Sequence, residues 1–478
     1  MNEFPLMTLE ELCSAVHGVC IGSRTGRFYS VCTDSRNAVR GALFVPLMGE
    51  FQDGHNYISG AVKNGAAVVL VDENHREMVE RGISEKHLPE DVSYVIVKNT
   101  LKGLQDAAAG YLKKFPGLKK IGITGSCGKT TTKEIFASVF SVKYDVVMTE
   151  GNLNSETGLP LSVFNVRDNH QVGIFEAGMN RVGEIRELAE VLKPDIAVIT
   201  NIGTAHIGIL GTRDKIAEEK KSIFSFFNEK SIGIIPEADD YYEFLKTGVP
   251  GKILSFGDGN LREISRVNSL GLKGTEIIFK TGDRALLSIP GYYNYLNALA
   301  AITAGFECGL TVKEVAEGIN SVKPLFGRSQ VFEGSVEKNG INLNVTVVQD
   351  CYNANPVSLK AGLSLCDSAD WNGKRLYVVG AMMELGADSY QAHYAALQNL
   401  ADSKGDLIFL FGKEFKKPFD DFKPAGSRFF YFEDMEDLIA GVKSGLENNS
   451  LIFIKGSRAM ALERIGESLG LVKESAGV

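Results

Sequence analysis

The chain has 478 residues, a formal net charge of −8, and a composition that is 44% hydrophobic and 23% charged. This length exceeds what one hydrophobic core usually organises, so we expect about three domains. The net negative charge argues against a nucleic-acid-binding protein, because such proteins present basic surfaces to the phosphate backbone. An anionic substrate would therefore need a local cationic site.

The N-terminal residues lack the basic segment and long apolar stretch of a secretory signal. Thr8 followed by Glu11 instead predicts a capping box that opens a first helix. The apolar runs have the length of strands, well short of the roughly 18 residues of a spanning helix, so we do not expect an integral membrane protein. The 7 cysteines are scattered without a CxxC pair. This pattern is typical of a reducing cytoplasm and favours neither a disulfide framework nor a zinc site.

Two short segments that contain proline predict domain boundaries, one at residues 115–117, where a glycine follows the proline, and the other at residues 323–324. The predicted domains are listed in order as 1–117, 118–324 and 325–478. Around these points, short β-rich runs such as VGIFEA, DIAVITN, RLYVVG and SLIFIKG alternate with helix-like stretches. The alternation predicts an α/β protein whose central domain is a mostly parallel sheet with helices on both faces.

A glycine-rich loop gives the strongest functional signal in the sequence. It reads Gly125, Ser126, Cys127, Gly128, Lys129, Thr130, Thr131, and it lies between the strand-like IGIT and the helix-like KEIFASVF. Glycines allow backbone N–H groups to face phosphate oxygens, and the following helix N-terminus adds positive potential. We expect Lys129 to bind nucleotide phosphates and the Thr130 hydroxyl to bind Mg²⁺. The alternative is a structural turn beside a surface lysine.

Two further strand ends carry candidate metal ligands. Glu176 ends the strand in VGIFEAG, and His206 follows the strand in DIAVITNIGTAH. Nucleotide sites in parallel sheets lie at the carboxyl ends of strands, so both side chains could join Thr130 around one or two Mg²⁺ ions. Imidazole is a less usual magnesium ligand than a carboxylate. On chemistry alone, Glu176 could instead cap the next helix, and His206 could be structural.

Seven segments together resemble the Mur ligase family of bacterial cell-wall synthesis. In chain order they are TGSCGKTTTKE, EAGMNRVGEI, TNIGTAHIGILG, GYYNYLNALAAI, FGRSQ, DCYNANPVS and KGSRAMALE. The resemblance implies three domains: the first holds a UDP-sugar, the central P-loop-type domain holds ATP, and the third is Rossmann-like and helps to bind ATP and the amine. TDSR, GEFQDGH and KGSR favour the member that joins D-alanyl-D-alanine to UDP-MurNAc-tripeptide, giving ADP and phosphate. We also expect a monomer.

The family's chemistry gives the residues roles. Phosphorylation of the tripeptide carboxylate makes an acyl phosphate, which the amine then attacks; positioning and charge neutralisation carry the phosphoryl step. By resemblance, Lys129 and Arg328 hold phosphates, and Thr130, Glu176 and His206 hold magnesium. Asn294 resembles the adenine contact, and Asp350 resembles a ribose or phosphate contact from the third domain.

The segment IAEEKKSIF aligns with the family segment that carries a carbamylated lysine, which indicates Lys220. A carbamate is an anion and could bind a second Mg²⁺. It forms from the neutral amine, and only about one lysine in a few thousand is neutral at pH 7 when the pKa is near 10.4. Without the alignment, Lys220 and Lys221 would be read as part of a solvated helix face.

The substrate residues are predicted from weaker motifs. Those assigned to the UDP-sugar are Ser35, Arg36, Asp53 and His55, and those assigned to the loop along the muramoyl-peptide are Asn152 and Asn154. Those assigned to the amine side are Asn353, Asn355 and Ser358. Arg458 is expected to meet the dipeptide carboxylate, because guanidinium matches that geometry. Ordinary Asn/Asp/Gly turns are the alternative for each motif alone.

Three positions depart from the common form of this subgroup: Cys127 stands where Asn is usual, Gln349 where a second Asp is frequent, and Ala381 where Asp is usual. They motivate one alternative, a non-catalytic relative that senses nucleotide or UDP-sugar. Another ligase of the family, such as folylpolyglutamate synthase, is a second alternative. A kinase or simple ATPase would explain the glycine loop but not the other motifs. No segment of the sequence indicates which amino acid is the third residue of the peptide substrate.

Overall fold

The computed structural model of the protein describes residues 5–423, 426 and 428–471. The outer ends of the predicted first and third domains, residues 1–4 and 472–478, lie outside the described residues. Among the helices that the structure describes, none is long and apolar enough to cross a membrane.

The first unit contains seven strands, of which five form one sheet and the other two, the first and third in the chain, form a short antiparallel pair. Its strands are β1 (Met7–Thr8), β2 (Val19–Gly22), β3 (Arg27–Phe28), β4 (Ser30–Cys32), β5 (Ala42–Phe44), β6 (Ala66–Asp72) and β7 (Ser93–Val97). Its helices are α1 (Leu9–Val16), α2 (Ile58–Lys63), α3 (Arg76–Ser84) and α4 (Thr100–Leu112). The sheet order is β2-β7-β6-β5-β4, and only β2 runs antiparallel to its neighbour. The predicted capping box of Thr8 and Glu11 opens α1, as expected.

The central unit contains a six-stranded, fully parallel sheet and a small antiparallel one. Its strands are β8 (Lys119–Thr124), β9 (Val146–Met148), β10 (Val172–Glu176), β11 (Ile196–Ile199), β12 (Ile232–Pro236), β13 (Lys252–Phe256), β14 (Ile264–Ser269), β15 (Thr275–Phe279) and β16 (Arg284–Leu287). Its helices are α5 (Lys129–Phe140), α6 (Gly158–Val163), α7 (Glu184–Leu192), α8 (Ile207–Leu210), α9 (Arg213–Lys221), α10 (Tyr242–Lys246), α11 (Tyr292–Glu307) and α12 (Val312–Asn320). The large sheet has the order β13-β12-β11-β8-β10-β9, and β14-β15-β16 form the small one.

The order of the large sheet decides where a ligand can bind. After β8 the chain passes to β9 and β10 on one side, and then returns to β11 on the other side. A crevice opens beyond the carboxyl ends of strands at such a reversal. The glycine loop begins there, directly after β8. Helices α5, α11 and α12 cover one face of the sheet, and α6, α7 and α9 cover the other.

The third unit is a doubly wound sheet. Its strands are β17 (Gln330–Lys338), β18 (Ile341–Asp350), β19 (Arg375–Gly380), β20 (Leu407–Phe411), β21 (Phe429–Phe432) and β22 (Ser450–Lys455). Its helices are α13 (Pro356–Ser368), α14 (Ser389–Asp402), α15 (Lys416–Phe422), α16 (Met435–Gly445) and α17 (Glu463–Ser468). The order is β17-β18-β22-β19-β20-β21, with only β17 antiparallel. The predicted α/β class, with three domains, a mostly parallel central sheet and a Rossmann-like third domain, is confirmed.

The first two units share one hydrophobic core, whereas the third has its own. Leu104 and Tyr111 of α4 belong to the same buried cluster as Val163 and Phe164 at the end of α6. Tyr111 also donates a hydrogen bond to the carbonyl of Val166 at 2.7 Å. The fully buried residues in the clusters of the third unit all come from Val336 onward, and Leu272 of the central unit packs at the edge of one of these clusters. The first two units are therefore joined by apolar packing.

We expect the first two units to unfold together and the third to unfold separately. Phe164 is 4% exposed and its ring packs near those of Phe28 and Tyr111, so Phe164→Ala should cost about 3–5 kcal/mol. In differential scanning calorimetry it should lower the transition of the first two units alone. The matched variant Phe453→Ala, in the core of the third unit, should lower the other transition. Equal shifts of one common transition in both variants would contradict this division.

Candidate active site

The glycine loop turns sharply from β8 into α5, and two of its glycines are required by geometry. Gly125 has φ 150°, and a Cβ there would lie 1.8 Å from Thr200 Oγ1. Gly128 has φ 83° and precedes α5 without any side-chain cap. The first helical N–H bond is made by Thr132 to the Gly128 carbonyl. The backbone N–H groups of Lys129–Thr131 are thus left for an anionic ligand, as expected for a phosphate loop.

Residues after β11 hold the loop in place. The Cys127 N–H donates to Asn201 Oδ1 at 3.0 Å, and Asn201 Nδ2 donates back to the Cys127 carbonyl at 3.1 Å. Thr200 Oγ1 donates to the same carbonyl at 2.5 Å, and Ser126 Oγ accepts the Gly203 N–H at 2.8 Å. The sequence interpretation gave no role to Thr200 or Asn201. Their position one and two residues beyond a buried strand was the available signal.

Two lysine ammonium groups converge on one carbonyl oxygen. Lys129 Nζ lies 3.1 Å and Lys220 Nζ 3.0 Å from the Gly125 oxygen. Lys220 is 1% exposed. Burial first, and then the neighbouring charge of Lys129, lowers the pKa of Lys220 well below its ordinary value. The Lys220 amine is therefore biased toward the neutral form, which is the form that can become a carbamate.

Glu176 and His206 present polar atoms that the described residues leave without a hydrogen-bond partner. Glu176 Oε1 accepts from Asn154 Nδ2 at 2.6 Å, whereas Glu176 Oε2 and His206 Nδ1 are buried and unpaired. Burial, followed by the charges of Lys129 and Lys220, lowers the pKa of His206 to about 4, so the imidazole is neutral at neutral pH. A carboxylate oxygen and a neutral imidazole nitrogen are both competent metal ligands. The residues present therefore fit a divalent cation.

A cavity of about 560 Å³ lies between the central and third units. The predicted residues that line it are Ser126, Cys127, Gly128, Lys129, Thr130, Thr131, Asn152, Asn154, Glu176, His206, Asn294, Arg328, Asp350, Asn353, Asn355 and Ser358. Gly125 and Lys220 do not line the cavity, but the Gly125 carbonyl is contacted by both Lys220 and Lys129, and Lys129 does line it. The fold thus brings together most of the predicted nucleotide, metal and peptide residues.

The third unit contributes a cation and a paired carboxylate to the cavity. The Arg328 guanidinium stacks 4.2 Å from the centre of the Tyr352 ring and makes no ion pair with any described residue. Asp350 Oδ2 lies 2.7 Å from Nζ of Lys455, which is 1% exposed and also donates to the Asn353 carbonyl at 3.1 Å. Lys455, within the KGSR segment, was given no role from the sequence. It fixes the Asp350 carboxylate at the cavity wall.

One direct contact joins the phosphate loop to the third unit. Asn355 Nδ2 donates to Cys127 Sγ at 3.1 Å. Asn355 also caps α13, because its Oδ1 accepts the Ser358 N–H at 2.9 Å and its own N–H donates to Ser358 Oγ at 3.1 Å. In the central unit, Asn294 Nδ2 donates to the Pro290 carbonyl at 2.7 Å. These bonds fix the side chains that face the cavity.

The four UDP-sugar candidates lie in the first unit, outside this cavity. Ser35 and Arg36 form a short 3-10 turn, and Arg36 pairs with Asp34 at 2.6 Å. His55 Nε2 accepts the Asp72 N–H at 3.0 Å, which assigns the proton to Nδ1, 2.7 Å from Asp53 Oδ1. Both nitrogens of His55 are thus engaged within the protein, so this side chain anchors the Asp53 turn.

Arg458 also lies outside the cavity lining. Its guanidinium pairs with Glu463 and lies 5.8 Å from the centre of the Phe326 ring. A dipeptide carboxylate would therefore have to share Arg458 with Glu463.

Comparison with known proteins identifies the family to which this chain belongs. Sequence models described as "Mur ligase family, catalytic domain", "Mur ligase middle domain" and "Mur ligase, glutamate ligase domain" match residues 27–112, 123–305 and 327–458. The chain belongs to the Mur ligase family. It is 41% identical over 473 residues to the UDP-N-acetylmuramoyl-tripeptide–D-alanyl-D-alanine ligase of Treponema pallidum (strain Nichols), covering 96% of this chain and 98% of the relative. The Bacillus subtilis (strain 168) protein of the same name is 32% identical, covering 92% and 93%.

Solved structures of Mur ligases share the whole architecture. MurF from Acinetobacter baumannii superposes with a TM-score of 0.84 at 27% identity, covering 98% of this chain and 99% of that chain. MurF from Thermotoga maritima, solved in complex with ADP, superposes with a TM-score of 0.76 at 27% identity, covering 92% and 96%.

Cys127 places a thiol within the phosphate loop of this Mur ligase, so we expect thiol reagents to inactivate the enzyme. ATP should slow the inactivation, because bound phosphates would cover the loop. The Cys127→Asn variant should be active and resistant, and it retains the other six cysteines as an internal control. The measurement is residual activity after iodoacetamide treatment with and without ATP. Equal inactivation of Cys127→Asn would assign the effect to another cysteine.

Proposed function

We propose that this Mur ligase uses ATP to join D-alanyl-D-alanine to UDP-N-acetylmuramoyl-tripeptide, forming UDP-N-acetylmuramoyl-pentapeptide, ADP and phosphate. The identity to relatives of that name, over nearly the whole chain, supports the choice of substrates. The observation that carries the chemistry is one cavity that contains the phosphate loop, the unpaired Glu176 and His206 atoms, and a free arginine from the third unit. The reaction belongs to peptidoglycan precursor synthesis.

The carboxylate of the tripeptide is a poor electrophile until it is phosphorylated. In the proposed first step, its oxygen attacks the γ-phosphorus of ATP, the bond to the β,γ-bridging oxygen breaks, and ADP leaves. The uncapped N–H groups at the start of α5, with Lys129 and Arg328, hold the phosphates and neutralise charge. In the second step, the neutral dipeptide amine attacks the acyl carbon, phosphate leaves with the bonding electrons of the acyl–oxygen bond, and the nitrogen releases a proton to solvent as the amide forms.

Thr130, Glu176 and His206 are the proposed magnesium ligands. The metal would supply charge neutralisation for the phosphate oxygens. A second ion is proposed beside a carbamate on Lys220, whose buried and weakly basic amine favours this modification. Asn294 is the proposed adenine contact, and Asp350, held by Lys455, the proposed ribose or phosphate contact.

The remaining assignments follow the three proposed domains, 1–117, 118–324 and 325–478. Ser35, Arg36 and Asp53 are proposed to bind the UDP-sugar, with the buried His55 holding the Asp53 turn in place of contacting the ligand itself. Asn152 and Asn154 are proposed to contact the muramoyl-peptide. Asn353, Asn355 and Arg458 are proposed for the amine side. The seven free cysteines are consistent with a cytoplasmic protein, and a monomer is the proposed state.

Phosphate release from ATP tests the function directly. It should require UDP-MurNAc-tripeptide and D-alanyl-D-alanine together, and mass spectrometry should identify the pentapeptide product. The Lys129→Ala variant should lose about 10²-fold or more in rate, because it removes charge stabilisation from the phosphoryl step. No release from the wild type under any combination, despite measurable nucleotide binding, would favour a nucleotide sensor or a ligase with another amine.

Chemical rescue tests the carbamate. The Lys220→Ala variant should lose most activity, and added short carboxylic acids should restore part of it by placing a carboxylate in the vacated space. Lys221→Ala is the matched control, because Lys221 Nζ donates to carbonyls of Phe244 and Thr247 at the surface, away from the cavity. It should stay near wild type. Full activity of Lys220→Ala without added acid would remove Lys220 from the mechanism.

A further inference from the structure

One carboxylate in the cavity wall is unexplained by the assignments above. Among the described residues, four carboxylates line the cavity: Glu176, Asp239, Asp350 and Glu384. Glu176 bonds to Asn154, Asp239 accepts two backbone N–H groups, and Asp350 pairs with Lys455. Glu384 has no hydrogen-bond donor and no lysine or arginine partner within the described part of the chain. Its carboxylate lies 3.9 Å from His206 Nδ1.

The backbone around Glu384 is fixed in an unusual conformation. Glu384 has φ 66°, in the left-handed region that non-glycine residues seldom adopt. Just before it, the Met382 N–H donates to His393 Nε2 at 3.0 Å and the Met383 N–H donates to Ser457 Oγ at 2.9 Å.

Just after Glu384, the loop packs against the central unit. A Cβ on Gly208 of α8 would lie only 3.0 Å from the Gly386 backbone nitrogen. The loop therefore holds the Glu384 carboxylate opposite His206, at the end of the cavity where the metal and γ-phosphate are proposed to lie. Strained backbone that its surroundings enforce is a feature of ligand-binding positions.

The charge of Glu384 indicates the kind of ligand. ATP and the tripeptide are anionic, and a carboxylate that repels them would be unfavourable beside the phosphates unless a cation also binds there. Besides the proposed magnesium, the remaining substrate supplies a cation, because an α-amino group with a pKa of about 7.7–8.0 is mostly protonated at neutral pH. The Glu384 side chain is 65% exposed, so it is open to a ligand that enters from solvent.

We propose that Glu384 binds the ammonium group of the incoming D-alanyl-D-alanine and so places it beside the acyl phosphate, whose acyl carbon the amine attacks once it has released one proton to solvent. The role rests on the proposed function, and it gives the loop after β19 a part in selecting a cationic amine substrate. Glu384 reaches the site from the third unit, whereas the phosphate loop belongs to the central unit. The dipeptide amine would then be held by the third domain, and the acyl phosphate by the central domain.

Steady-state kinetics of the full-length Glu384→Gln variant test this role. Losing one charged hydrogen bond should raise the KM for D-alanyl-D-alanine about tenfold or more, whereas the KM values for ATP and UDP-MurNAc-tripeptide should stay within about twofold. Glu384→Asp, which keeps the charge, should recover much of the loss. Asp388→Asn is the matched control, since Asp388 is an exposed carboxylate four residues away that does not line the cavity.

A competition experiment separates charge recognition from a merely structural effect. N-acetyl-D-alanyl-D-alanine has no ammonium group, so the wild type should bind it much more weakly than the free dipeptide. In Glu384→Gln this preference should shrink about tenfold.

An unchanged dipeptide KM in Glu384→Gln would overturn the proposal. So would a raised Mg²⁺ requirement with an unchanged preference for the free dipeptide, which would make Glu384 a metal ligand. If the wild type itself releases no phosphate with both substrates, the proposed function fails first; an active wild type with an unaffected variant refutes only the role of Glu384.

Discussion

Two lysine side chains that share the Gly125 carbonyl oxygen are the interaction on which the site depends. Bringing two amines this close in a buried position is unfavourable unless one is neutral or an anion binds nearby. The site of a ligase that binds ATP can meet both of these conditions. Lys129 faces the cavity, where phosphates would offset its charge, and buried Lys220 has a depressed pKa. Burial, and then the charge of Lys129, lowers the pKa of His206 and keeps its imidazole available to a metal.

That arrangement requires close packing between neighbouring strand ends. Gly125 passes so near Thr200 that no side chain fits, and this approach lets Thr200 and Asn201 hold the loop through its carbonyl and N–H groups. The phosphate loop is therefore held in this shape by hydrogen bonds within the protein that do not involve a nucleotide. Preorganised donors cost little reorganisation during reaction, which is the main advantage of a protein site over water.

The two domain interfaces differ in chemistry. Apolar packing around Tyr111 and Phe164 joins the first and central domains. At the cavity, the third domain instead meets the central domain through polar groups such as Cys127, Asn355, His206 and Glu384. A polar interface is suited to being remade around charged ligands, whereas a shared core is not. The first domain is thus joined by its core to the domain that carries the phosphate loop, whereas the third domain supplies Arg328 and Asp350 across a polar boundary.

The sequence was sufficient to predict the α/β class, the phosphate loop and the residues at the ends of β10 and β11, since these depend on local patterns: strand, glycine, helix. It also contained the resemblance that linked Lys220, Arg328 and Asp350 to one family. Tertiary structure alone decided which side chains are already engaged. Arg458 pairs with Glu463, His55 is held between Asp53 and the Asp72 backbone, and Lys455 holds Asp350. It also decided that Glu384, opposite His206, has no lysine or arginine partner among the residues that the structure describes. Lys455 and Asp350 are far apart in sequence, and even the closer pairs form only where the fold brings their side chains together, because hydrogen bonds and pKa values depend on three-dimensional neighbours that no local motif specifies.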